Sequence, residues 1–363
     1  MFYSIHYIRG ISALLVVLFH LRPSINNVYA QKNLGDLLFL RGDIGVDAFF
    51  IISGFIICHA TRNDKSIISF SLKRFFRIYP TYLLFSILFL CINLILFNHL
   101  TIKSFFDIIL IRPLNYSMGP PFYGYTYLVV GWSLVYEICF YIIYLVSMSL
   151  SHKYRNIICS LILFLLCYAL QKYHLNTFDI SATSGLKDKN LGILNILSSS
   201  MMLNFIVGIF IYEITKYIKG NLHFINKEFI KIIFFFVITI SIYFFMIGFN
   251  SWHGLNKSVL FIAPLILSLI IYEYKCGLKR IPAFIFLGNI SYSLYLSHLV
   301  VTYAIKKFGG PLYNANNGFS TIFIIISLSL IISYISYNTI EKISSEACRK
   351  IIMKIKNSDQ ENT

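Results

Sequence analysis

The chain has 363 residues, 57% of them hydrophobic, 17% aromatic and only 13% charged, with a mean hydropathy of +0.72. Soluble domains carry about 25% charged residues. The composition therefore excludes a soluble globular protein, a disordered chain, a disulfide scaffold and a nucleic-acid binder, despite a formal net charge of +16. It leaves a polytopic membrane protein whose positive excess marks cytoplasmic loops and contact with anionic membrane lipid.

A helix needs about 20 apolar residues to cross the hydrocarbon core. Ten such runs occur, at about 8–25, 44–60, 78–98, 127–149, 156–172, 193–215, 229–249, 258–274, 284–305 and 319–339. The first has no small-residue cleavage site after it and reads as a retained span. An even number of spans places both termini on one side. With that side cytoplasmic, the segments there hold 20 of the 31 basic residues, as positive-inside bias requires. The expectation is an all-α membrane domain over 1–340, both termini cytoplasmic, then a short basic and polar tail, 341–363. Pro80 and Pro282 fall at predicted helix starts, where a missing N–H costs little, and Pro264 inside the eighth span. Seven cysteines, an odd number, show no paired spacing, so neither a metal site nor a disulfide framework is expected.

Ionisable groups inside a membrane are costly and are functional candidates. In the first span Arg9 and His20 are eleven residues apart, three helical turns, so they share one face about 16 Å apart along the axis. The second opens GDIGVDAFFIISGF, with Asp47 in its first turn; a dipole-stabilised capping role competes there with a functional one. Before the third, SLKRFFRIYPTY puts Arg74 and Arg77 at i and i+3, a spacing suited to a phosphate-bearing anion. The fourth begins GWSLVYEICFYIIY: Glu137 lies well inside it, Ser133 shares its face, and Trp132 suits an outer aromatic belt. The ninth carries Ser291 and His298 two turns apart. Alternating span directions place His20, Asp47, Glu137 and His298 in the middle to outer bilayer, with the three arginines at the inner face. Tyr116, Phe122, Tyr123, Tyr125 and Tyr127, in the long external segment 99–126 and just beyond it, suit an interfacial belt better than a sugar-stacking surface.

The segments IRGISALLVVLFH, GVDAFFIISGF, KRFFRIYPTY, WSLVYEICFYIIY and ISYSLYLSHL, in that order, resemble the bacterial acyltransferase 3 family of integral membrane acyltransferases along nearly the whole chain. The resemblance implies transfer of an acyl group, usually acetyl from acetyl-CoA, to a hydroxyl of a surface or secreted glycan, in the bacterial inner (plasma) membrane. The family's functional positions fall on Arg9, His20, Asp47, Arg74, Arg77 and Glu137. Two departures stand out: HYIRG replaces an acidic lead before the first arginine, and Ile138 stands where many members have a second acidic residue.

On this reading Arg9, Arg74 and Arg77 bind the phosphates of acyl-CoA, a co-substrate rather than a resident cofactor. His20 is general base toward the acceptor hydroxyl of a surface or lipid-linked glycan, and Asp47 or Glu137 orients the ring. Trp132, Ser133, Ser291 and His298 are supporting or acceptor-side candidates. Direct transfer is the simpler path, with acylation of Ser133 or of His20 as alternatives. The competing class is a glycolipid or anionic-solute transporter using the same buried charges; no internal repeat of the kind such folds carry is apparent.

Overall fold

The computed structural model describes residues 2–97, 102–249, 252–310 and 317–361. Among these, ten helical stretches are long and apolar enough to cross a membrane, and their main helices are α1 (Tyr3–Leu21), α2 (Gly45–Ala60), α3 (Ile67–Phe97), α4 (Trp132–Leu150), α5 (Arg155–Leu175), α6 (Leu203–Asn221), α7 (Lys227–Ile247), α8 (Val259–Cys276), α9 (Pro282–Phe308) and α10 (Phe319–Ser336). No strand occurs among the described residues beyond an isolated bridge between Ser181 and Gly254. The chain is an all-α, multi-pass membrane protein. Asn98, where the third predicted span ends, residues 99–101 of the segment after it, and 362–363 of the tail lie outside the described residues.

Three boundaries differ from the expectation. Pro80 lies well inside α3, because that helix starts at Ile67, where the Ser66 hydroxyl accepts from the Ser69 N–H at 3.1 Å. Hydropathy marks where a chain becomes apolar, whereas a helix begins where its first N–H groups are capped. The sixth predicted span divides: Ile193–Ser198 is a separate short helix, and extended Ser199 caps the next turn through the Met201 N–H, so the run Ser198–Ser200 competes with continuous helix. At the C-terminus the tail is helical. A π-helical turn, Tyr337–Glu341, leads from α10 into α11 (Lys342–Glu361), which packs on α3.

In lipid, helices associate through close packing and polar contacts rather than a hydrophobic drive. The seam between α1 and α9 shows this. A Cβ on Gly10 would sit 2.8 Å from the Gly288 nitrogen, and one on Gly288 2.5 Å from the His6 carbonyl oxygen. Backbone-to-backbone approach holds these helices side by side in the same direction, with His6 bonded to Asn289 at 2.7 Å and Arg9 to Ser291 at 3.1 Å. The α2–α6 crossing works likewise at Gly54, where a Cβ would collide with the Phe205 carbonyl oxygen. The spans containing α2, α4 and α9 are 67–72% buried, against 11% for α7, so the helices bearing most of the candidate residues form the interior and α7 the periphery.

Candidate active site

Two chambers lie back to back inside the bundle. The inner one, about 60 Å³, adjoins the recesses lined by α11, with which it shares Arg9, Arg74 and Arg77, and is lined by these, Ser133, Glu137 and Ser291 among others. Helical geometry brings them together: Arg74 and Arg77 on one face of α3, Ser133 and Glu137 on one face of α4, Arg9 and Ser291 across the α1–α9 seam. The Glu137 carboxylate accepts from the Ser53 hydroxyl of α2 at 2.7 Å and from the Tyr141 hydroxyl one turn on. Arg74 stacks over Phe70 and Tyr141, 5.7 and 5.5 Å from the ring centroids, and its Nε is buried without a hydrogen-bond partner. Among the described residues none of these three arginines lies within ion-pair distance of a carboxylate. The chamber thus gathers three cations around a single carboxylate, Glu137, among its described lining residues.

The outer chamber, about 260 Å³, is lined by His20, Arg22, Asp43, Phe122, Tyr125, Trp132, Trp252, His253 and Tyr295 among others. Tyr295 lines both chambers. It is 5% exposed, its hydroxyl 2.9 Å from the Val130 carbonyl oxygen and 2.8 Å from the Ser133 hydroxyl. This side chain and the first turn of α4 form the partition, with Ser133 facing inward and Trp132 outward.

The His20 ring is held by Val16 and His298. Its Nδ1 lies 2.9 Å from the Val16 carbonyl oxygen and 3.3 Å from His298 Nε2, and His298 Nδ1 lies 3.1 Å from the Leu294 carbonyl oxygen. Carbonyls only accept, so both neutral rings carry the proton on Nδ1. That leaves the His20 Nε2 lone pair as an acceptor in a residue that lines the outer chamber. Neither Asp47 nor Glu137 orients the ring; a second imidazole does.

Asp47 is fully buried and lines neither chamber. Its carboxylate accepts from Asn204 Nδ2 at 2.7 Å and the Gly254 N–H at 3.1 Å, and it pairs with His253 Nδ1 at 2.7 Å. It ties the loop after α7 to α2 and α6 and so fixes one wall of the outer chamber. Burial opposes the His253 imidazolium, but the Asp47 carboxylate, with Asp43 beyond it, outweighs burial and holds the ring above its ordinary value.

The aromatic-belt expectation is corrected for four residues. Trp132 and Tyr123 are buried, and Phe122 and Tyr125 line the outer chamber. The loop folds back through Leu114 N–H to the Tyr125 carbonyl at 2.8 Å and Asn115 N–H to the Tyr123 carbonyl at 3.1 Å, which turns these rings inward. Phe122 and Trp132 meet edge to face at 4.9 Å. Residues that helical spacing does not single out are Asp43, with Oδ1 buried and unpartnered, and Tyr295, Trp252 and His253.

An apolar ten-helix bundle with an arginine-rich chamber backed by a paired-imidazole chamber defines a class, a polytopic membrane protein with an enzyme-like interior. The acyltransferase 3 family model, an acyltransferase domain, matches residues 2–338. The chain belongs to that family and is a multi-pass membrane acyltransferase. No curated protein and no solved structure matches it.

Proposed function

We propose that the protein carries an acetyl group from acetyl-CoA, bound at the basic end of the bundle, to a hydroxyl of a surface or lipid-linked glycan held in the outer chamber. The observation that carries this reading is the shared wall: Tyr295 alone among the described titratable residues borders both the arginine-lined chamber and the one containing His20. On positive-inside grounds the basic end faces the cytoplasm of a bacterium, across its inner (plasma) membrane.

Arg9, Arg74 and Arg77 hold the donor phosphates by charge-assisted hydrogen bonds. Pantetheine enters the inner chamber and brings the thioester to the Tyr295–Ser133 layer, where a swing of Tyr295 joins the chambers. An acceptor hydroxyl bonds to His20 Nε2. As its oxygen attacks the thioester carbonyl carbon, the proton passes to Nε2. The imidazolium is stabilised through Nδ1–H by the Val16 carbonyl and His298 Nε2. The C–S bond then breaks, the ester forms, and the proton passes from His20 to the departing thiolate. No acyl-enzyme is required.

In the outer chamber Phe122, Tyr125, Trp132 and Trp252 present apolar faces suited to a sugar ring, while Asp43 offers an unpartnered acceptor to a second hydroxyl.

The test is transfer from labelled acetyl-CoA to native surface glycan in membranes containing wild type or His20→Ala, with mass spectrometry of the glycan. An added 42 Da, roughly the mass of one acetyl group replacing a hydrogen, is expected only with wild type. Equal turnover by correctly inserted His20→Ala removes His20 as base. Glycan that crosses the bilayer without any change in mass makes the protein a transporter instead.

A further inference from the structure

The family match stops at residue 338, yet α11 beyond it lines two recesses that share Arg9, Arg74 or Arg77 with the inner chamber. The π-helical turn at Tyr337–Glu341 adds about one residue to the helical period, turning the faces of α11 by roughly 100°. Ser345, Cys348, Arg349 and Ile352, at i, i+3, i+4 and i+7, share one face by their spacing and line a cavity of about 390 Å³ against α3. The other side of this cavity carries Lys73, Arg74 and Arg77.

Four cations therefore surround one recess, and among its described lining residues no carboxylate is present. Lys73 is partly neutralised by Asp64 at 2.7 Å. Arg77 and Arg349 have no carboxylate within ion-pair distance among the described residues. The adjoining recess, which shares Arg77 and Arg349, differs because Glu341 and Glu346 also line it. The carboxylate-free recess shares Arg74 and Arg77 with the inner chamber, so a ligand seated there has its continuation inside the bundle.

We propose that this recess is a phosphate-binding site completed by Arg349 of α11, and that it takes the phosphates of the acyl donor's nucleotide end. The inference rests on the donor reading above and extends it to a residue outside the matched family segment. Arg349 is a binding residue there: it approaches from the side opposite Arg74 and Arg77, so a phosphate is clamped between two helices rather than resting on one.

The experiment is equilibrium binding of CoA, 3′-dephospho-CoA and pantetheine to full-length protein in phosphatidylcholine nanodiscs, comparing wild type, Arg349→Ala and Lys350→Ala. Losing one charge-assisted contact should weaken CoA binding by about tenfold in Arg349→Ala. Pantetheine binding and the Lys350→Ala control should be unchanged. If 3′-dephospho-CoA suffers less from Arg349→Ala than CoA does, Arg349 meets the 3′-phosphate; if both suffer alike, it meets the diphosphate. Either pattern supports the site. CoA binding that is equal in wild type and Arg349→Ala overturns the inference and leaves the donor reading standing. The same equality, with phosphatidylglycerol retained by wild type and lost by Arg349→Ala, overturns it in favour of a lipid headgroup. Wild type that binds neither nucleotide overturns the donor reading itself and this inference with it.

Discussion

The two chambers are built by different means. Every polar group named in the inner chamber sits on a helix, at i, i+3 or i, i+4 from a partner or across a close helical seam. The outer chamber draws Asp43 from the turn before α2, Phe122 and Tyr125 from the loop before α4, and Trp252 and His253 from the loop after α7. Helical walls place their cations by spacing alone; the loop-built walls are locked by a buried Asp47–His253 pair. This division suits a protein whose donor end is the same for every acceptor and whose acceptor end is adapted by loop change.

Four substitutions or conditions separate the chambers. His20→Ala should lower turnover by about 10²–10⁴-fold, the usual contribution of a general base, while donor affinity stays at the wild-type value. A parallel loss of donor affinity would merge the chambers into one. Asp47→Ala should cost about 3 kcal/mol of unfolding free energy, the low end for a broken buried pair, because His253 can shed its proton. Acceptor turnover should fall with it and donor binding should persist, as thermal unfolding and binding in detergent would report. Arg77→Ala should raise the donor KM by about tenfold with little change in kcat. A kcat loss without a KM change would assign Arg77 to the reaction rather than to binding.

The smallest effect is the pH response of the Asp47–His253 lock. His253 is raised from its ordinary value of 6.5, so the folded state binds its proton more tightly than the unfolded state does. The resulting stabilisation is complete below the unfolded value and disappears as pH rises through the higher folded value. The melting temperature of wild type should therefore fall more steeply than that of His253→Gln over that window. Parallel curves would show that the pair contributes no linked protonation.

The same contrast governs how much is legible in the sequence. The ten spans emerge from hydropathy alone, and Arg74, Arg77, Ser133 and Glu137 are found by spacing because helices convert spacing into proximity. Hydropathy misplaces Pro80 for a related reason: α3 extends beyond the apolar stretch, and charged residues conceal its first turns. Loops impose no period, so nothing in the order of residues links His253 to Asp47, 206 positions away. A carboxylate in an apolar helix does announce a partner, but not which of the nine histidines supplies it. The position of Trp132 near a helix end points to the lipid interface. Only the fold of the preceding loop shows that this ring faces Phe122 and His253 instead.

On the proposed mechanism one acetyl group passes between the two chambers at Tyr295. This transfer is tested most directly with wild-type protein reconstituted in one orientation in sealed vesicles, using membrane-impermeant labelled acetyl-CoA. With donor supplied only at the basic end and acceptor glycan only at the opposite end, label should appear on the glycan. Label transferred only when donor and acceptor share a side would contradict the account.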